Sequence, residues 1–214
     1  KNARRKKGRT LTTSNAWKRL LVALLHIQPK IFDGSEKERI RQQMIARNRG
    51  QDRDPRNCGK KLTDGLTLEP VTLPNASGWL VTGRQNPKEK IIYYIHGGGF
   101  TGACTKDRMP FISALVRDFG YNVFSVDYRL APEFMYPCGL NDCLDGCLWL
   151  LEHHKPEDIL FLGESAGGNL VLSLCLLLRD RGLPLPKAVY ANSPVTQLTA
   201  YPESYDRFSL KEDF

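Results

Sequence analysis

The sequence predicts an α/β fold, a mostly parallel sheet covered by helices on both faces and entered through an antiparallel pair of strands. Three observations carry that prediction. Short apolar runs alternate with helical stretches from Lys90 to Asn192. The runs are apolar throughout, as strands buried on both faces of a parallel sheet must be. Two glycine-rich stretches, "HGGGFTG" and "GESAGG", follow directly on two of these runs. That places them at the carboxyl edge, where α/β sheets hold ligand chemistry.

Taken in order, the N-terminal part reads as polar and helical. One helix is expected over 14–27. A second is expected over 35–48, with Ser35 as its cap and Glu38 three residues later. "RGQDRDPRNCG" reads as a linker. The runs "GLTLEPVTL" and "GWLVTG" give the antiparallel start. "KIIYYI" is then a buried strand, "TKDRMPFISALVRDFG" a helix closed by Gly120, and "YNVFSVD" a strand. "GLNDCLDGCLWLLEHH" is a helix, "DILFLG" a strand, "AGGNLVLSLCLLLRDRG" a helix closed by Gly182, and "KAVYAN" a strand of internal character. The expected division is a basic helical region over 1–60 and an α/β domain over 61–214.

Composition narrows the partners. The chain has 214 residues, 41% hydrophobic and 25% charged, which fits a globular domain and argues against disorder. Its net charge of +8 is unevenly spread: 17 Lys and Arg against 5 Asp and Glu over 1–60, and 14 against 18 beyond. "KNARRKKGR" lacks aromatic interleaving and any nucleic-acid module, so a solvated tail is the reading and no nucleic-acid partner is expected. Peripheral contact with a membrane or anionic lipid through this basic region stays open. Uninterrupted apolar residues in "WKRLLVALLHI" run only from Leu20 to Leu25, against roughly 18 to 20 for a span. The six cysteines form no C-x-x-C pair and no metal spacing. Cys143 and Cys147, a helical turn apart, read as buried thiols and favour a reduced, cytoplasmic compartment, while the even count of six leaves disulfides open.

The chemistry is concentrated in two motifs. "DILFLGESAGGNLVLSL" has the strand, sharp turn and helix of a nucleophile elbow, with Gly163 and Gly167 making room around Ser165. Gly168 lets the following helix pack close to the sheet. The amide of Ala166, at that helix's start, points where an oxyanion would form. "IIYYIHGGGFTGA" is ambiguous, because Gly97, Gly99 and Gly102 also satisfy G-x-G-x-x-G after a strand. Asp127 ends the next strand, near where a dinucleotide fold places its ribose-binding acid. The hydrolase reading uses both motifs, since an elbow serine needs a facing loop of free amides and "HGGG" supplies one. The dinucleotide reading leaves the serine turn without a purpose.

"HGGGF", "VDYRLAPE" and "GESAGGN", in that order, resemble the hormone-sensitive-lipase-like group of α/β-hydrolases, which includes arylacetamide deacetylases and many bacterial carboxylesterases. The resemblance covers residues from about 91 to 194, and "SPVTQLT" is similar to the segment that follows in that family. It implies an α/β-hydrolase fold with a helical cap formed by residues before about 60. It implies Ser165 as the acyl-accepting nucleophile, with the oxyanion hole at Gly97, Gly98, Gly99 and Ala166. His96 and Glu164 join Gly163 and Gly167 as supports of the motifs, Glu164 standing where many members carry Asp. Arg129 and Glu133 are expected as an ion pair holding a loop. A small-molecule ester is the implied substrate, and no cofactor or metal is implied.

A serine nucleophile needs a base, and α/β-hydrolases place Asp or Glu and then His after it in the chain. No histidine follows Ser165; His26, His153 and His154 precede it, the last two in helix-capping positions, and Asp180, Asp206 and Asp213 follow no further strand. The expectation is a fragment of a serine esterase lacking its catalytic acid and base, with little activity alone. The alternative is a noncatalytic small-molecule-binding relative, as plant gibberellin receptors resemble this family yet lack the histidine.

Overall fold

A computed structural model describes residues 34–87 and 89–196. The expected helix over 14–27, the basic tail, His26, Asp206 and Asp213 lie outside them. Residues 39–196 form one compact unit; of a second unit, over 1–38 and 197–214, the description covers the five residues that begin the first helix.

That helix, α1 (Gly34–Gly50), is polar on all sides and buries none of its residues. It starts at Gly34, so Ser35 lies within its first turn instead of capping it. The expected linker is short and pinned. Asp54 caps a 3-10 turn (Pro55–Cys58) by accepting from the Arg56 amide, and Asp52 pairs with Lys106 at 2.6 Å. A single turn, α2 (Lys60–Thr63), leads into the sheet.

β1 (Leu66–Thr72) and β2 (Ser77–Gly83) pair antiparallel, as expected. β3 (Ile91–Ile95), β4 (Asn122–Asp127), β5 (Ile159–Glu164) and β6 (Ala188–Asn192) run parallel, in the order β1-β2-β4-β3-β5-β6. The helices between them are α3 (Met109–Arg117), α4 (Cys138–His153) and α5 (Ala166–Asp180).

Two apolar layers flank the sheet. Tyr93, Phe124 and Phe161 pack with Leu144 of α4 and Val171 of α5 on one face; Ile92, Tyr94 and Val123 pack with Ile112 and Val116 of α3 on the other. Every residue of β3 and β4 is buried, which is why their sequences show no polar alternation. β6 is bonded to β5 alone among the described residues and most of its side chains are exposed.

One expected helix is broken. Residues 105–108 form a 3-10 turn, and α3 begins only at Met109. Asp127 holds Thr105 by its amide (2.6 Å) and hydroxyl (2.9 Å), while Pro110 sits in the first turn of α3, where a missing N–H costs nothing. Gly120 and Gly182, at φ +71° and +65°, follow α3 and α5 as the sequence suggested. Cys143 and Cys147 are buried free thiols, and burial raises both pKa values, Cys147 to about 12.

Candidate active site

The parallel register puts Ile95 of β3 beside Gly163 of β5, so the two glycine-rich corners emerge as neighbours at the carboxyl edge. They touch through backbone. A methyl group on Gly167 would collide with the carbonyl oxygens of Ile95 and His96, and one on Gly97 would lie 2.7 Å from the Glu164 carbonyl. Glycine is required at both positions by this approach of main chain to main chain.

Ser165 stands between β5 and α5 with φ 52° and ψ −118°, a conformation that side-chain-bearing residues avoid. Its surroundings hold it there. The Ser165 amide donates to Asn192 O at the end of β6 (2.9 Å), and its carbonyl accepts from the amides of Asn169 (3.1 Å) and Val195 (3.3 Å). The Asn169 side chain ties down the same segment by donating to Val195 O at 2.6 Å. The hydroxyl thus sits at the N-terminus of a 15-residue helix, where the dipole favours negative charge.

The facing loop is a tight turn, in which the amides of Thr101 (3.2 Å) and Gly102 (3.1 Å) both donate to Gly98 O. Gly98 has φ +120° and Gly99 +64°, and no hydrogen bond among the described residues uses either of their amides. The Gly97 amide is different. It donates to Glu164 Oε1 at 2.9 Å, so this amide is already engaged within the protein.

Glu164 braces both corners. Its Oε2 accepts from the Tyr94 hydroxyl at 2.7 Å, and Arg108 Nε lies 2.8 Å from Oε1, a charge contact out of line for a hydrogen bond. His96 is buried and stacks on Tyr128 with ring centroids 4.3 Å apart; its Nδ1 donates to Gly97 O at 2.8 Å, leaving Nε2 buried without a partner. Burial pushes the His96 pKa below its usual value despite the opposing charge of Asp127. That geometry makes His96 a post for the loop.

Three further expectations resolve. Arg129 and Glu133 are not paired with each other: Arg129 forks onto Asp142, which is fully buried in α4, while Glu133 pairs with Arg49. A loop carboxylate three residues from the end of a turn has many cations within reach, and sequence spacing does not choose among them. His153 bonds the Trp149 carbonyl in the last turn of its own helix, a capping contact, whereas His154 bonds the Glu89 carbonyl in the loop before β3. The dinucleotide reading requires glycines that open a helix, yet here they close a turn several residues before α3, and Asp127 is spent on Thr105.

Residues 92–213 match the family described as the alpha/beta hydrolase fold. The chain belongs to the α/β-hydrolase family. Within it the chain is similar to hormone-sensitive-lipase-like members. The chain is 34% identical over 120 residues to hormone-sensitive lipase of Mus musculus (53% of this chain, 16% of that protein). It is 37% identical over 133 residues to esterase LipU of Mycobacterium tuberculosis (60% of this chain, 44% of that protein). A crystal structure of an esterase from the bacterial hormone-sensitive lipase family superimposes with a TM-score of 0.64 at 26% identity, covering 92% of this chain and 63% of that one. The chain thus spans less than two thirds of the proteins it matches.

As an α/β-hydrolase the molecule uses residues that the motif reading passed over. Tyr94 and Arg108 position Glu164, and Asn169 fastens the segment after β6. Tyr94 carried a signal, since a tyrosine inside a fully buried strand needs a partner for its hydroxyl. Asn169 lies inside the serine motif, where nothing local marks its partner Val195. Arg108 left no trace, because it stands in a turn and its partner comes from a distant strand. Among the described residues no helix is long and apolar enough to cross a membrane.

Proposed function

We propose that the protein is a carboxylic-ester hydrolase acting on small-molecule esters, with Ser165 as nucleophile and the amides of Gly98, Gly99 and Ala166 as the oxyanion donors. The observation that carries this reading is the strained Ser165, set at the tip of β5 and packed through Gly167 against the backbone of the glycine loop. A serine forced into this conformation presents its hydroxyl beyond the sheet edge instead of folding it back onto the turn.

In the reaction, Ser165 Oγ attacks the ester carbon and loses its proton to a base. The carbonyl oxygen, now negative, is met by amides that are already oriented. Collapse expels the alcohol, and water attacks the acyl-serine to release the acid. Glu164 and His96 act as positioning residues that hold the loop. Residues 39–60 support the cap reading, since Asn48 donates to Thr101 O at 2.9 Å and so fastens this segment to the glycine loop.

One observation favours a second reading. Each of the three described histidines is hydrogen-bonded to a backbone carbonyl, and none is bonded to Ser165. A noncatalytic binding relative has this property too. Labelling of the complete gene product with a fluorophosphonate separates the two. Covalent modification that disappears in Ser165→Ala supports the hydrolase; a ligand bound with no serine-dependent labelling supports the receptor and overturns the enzyme.

A further inference from the structure

A cavity of about 400 Å³ opens beside Asp127 at the carboxyl end of β4, and its lining includes neither Ser165 nor a residue of the glycine loop. Three guanidinium groups line it, and two are neutralised. Arg49 donates to Glu133 from Nε at 3.0 Å and from Nη2 at 2.5 Å. Arg129 forks onto Asp142 and lies over the Phe134 ring, 5.4 Å from its centroid.

Arg53 differs from both. No hydrogen bond or ion pair reaches it among the described residues, and its Nε is buried without a partner. A guanidinium donor taken out of water and left unpaired is costly, by about 1 to 3 kcal/mol or more. Asp127, on the same wall, does not supply the acceptor. Its Oδ1 is engaged by Thr105, and it meets Arg53 only as a charge at a distance, which lowers the Asp127 pKa against the stronger upward push of burial. Of the amide side chains on the wall, Asn48 is spent on Thr101 O and Asn75 is hydrogen-bonded to Asp145. Ala76, Leu130 and Phe134 give the wall an apolar part, with Asn75 and Ser77 beside them.

The terminal N–H donors of Arg53, bonded to no protein acceptor in a cavity that Leu130 and Phe134 also line, match a carboxylate with a short hydrocarbon body. We propose that this cavity binds a small monocarboxylic acid, its carboxylate on Arg53 and its hydrocarbon against Leu130 and Phe134. The site is separate from Ser165, and its occupancy is read without any ester. Failure of the hydrolase reading would therefore leave it standing, and the reverse holds as well.

The test is a titration of the 214-residue chain with butyrate and with its uncharged isostere butyramide, followed by amide chemical shifts. Butyrate should bind at least about tenfold more tightly than butyramide, shifting the amides of Ser77 and Leu130. Arg53→Gln should abolish that preference, Arg53→Lys should keep part of it, and Arg179→Gln, an exposed charge paired with Asp180, should leave it unchanged. Equal binding of acid and amide overturns the proposal. So do undiminished butyrate binding in Arg53→Gln, and shifts confined to Gly98, Gly99 and Ala166. If Arg53→Gln fails to fold, Arg53→Lys and the acid-to-amide ratio decide.

Discussion

The two glycine-rich corners lie on adjacent strand tips and do opposite work with the same residue type. At the β5 corner glycines surround a strained serine, so that one side chain is displayed. At the β3 corner glycines leave amides bare, so that the backbone itself is displayed. The first corner is therefore defined by sterics and the second by hydrogen-bond vacancies. Damage to them should be felt in different measurements.

The largest effect belongs to Gly167→Ala. The added methyl meets the Ile95 and His96 carbonyls, which are backbone of a central strand and have no room to yield. Overpacking of this kind costs about 3 kcal/mol or more, equivalent to a melting temperature lower by about 6 to 12 °C for a domain this size. A calorimetric scan checks it. An unchanged melting temperature would mean that the corners are not in contact.

Gly98→Ala sharpens the contrast from the other side. Its φ of +120° disfavours a side chain, and the methyl would press on Gly102 O, so the turn must rearrange. Because that turn lies in an exposed loop, the melting temperature should fall by only a few degrees. Ester turnover by the complete gene product should fall about 10²- to 10³-fold, the usual price of losing an oxyanion donor. Large losses of stability and turnover together would show that the β3 corner, too, is a packing device.

Much of this edge was legible in the sequence, for a physical reason. Strands buried on both faces are written as largely apolar runs, and a serine between obligatory glycines is a local steric demand, so β3, β4, β5 and the turn that holds Ser165 could be read directly. Pairings between distant residues could not. Arg129 chooses Asp142 and Glu133 chooses Arg49 because the fold brings them together, and nothing in "DYRLAPE" encodes those partners. The Gly97 amide was lost to Glu164 for the same reason: which amides stay free depends on a carboxylate 67 positions away. The apolar "KAVYAN" gave no indication that its side chains would be mostly exposed, because exposure depends on what lies beside the strand.

Glu164 joins the corners, and Glu164→Gln tests the joint. The carboxylate accepts from the Gly97 amide and from the Tyr94 hydroxyl. A glutamine that keeps its oxygen on the Gly97 amide must turn its NH₂ toward Tyr94, whose hydroxyl then has to accept instead of donate, and the negative charge facing Arg108 is lost. The expected loss is about 1 to 3 kcal/mol of stability, with Glu164→Asp milder because the acceptor is retained. Denaturant melts of the two variants rank them, and equal losses would mean that reach, not hydrogen-bond polarity, is what the joint needs.

The smallest effect is a pH dependence at the post of the β3 corner. A neutral His96 ring that donates from Nδ1 to Gly97 O must keep its lone pair on Nε2, which is buried without a partner. Protonation there would bury a charge, so burial, with smaller contributions from Arg108 and Arg53 and against the pull of Asp127, holds the folded pKa below the ordinary 6.5. As pH falls through 6.5 the unfolded chain takes up a proton that the folded chain refuses. The contribution of His96 to stability is therefore present above that pH and lost below it, by at most about 1.4 kcal/mol per pH unit. Asp127 works in the opposite sense, since burial raises its carboxyl, and this blunts the slope. His96→Gln should be less stable at pH 7.5, having lost the stack on Tyr128, yet its melting temperature should decline less than that of the parent between pH 7.5 and 5.5. Parallel declines would show that the ring titrates as it does in the unfolded chain, and that the glycine loop is held by something other than a buried neutral imidazole.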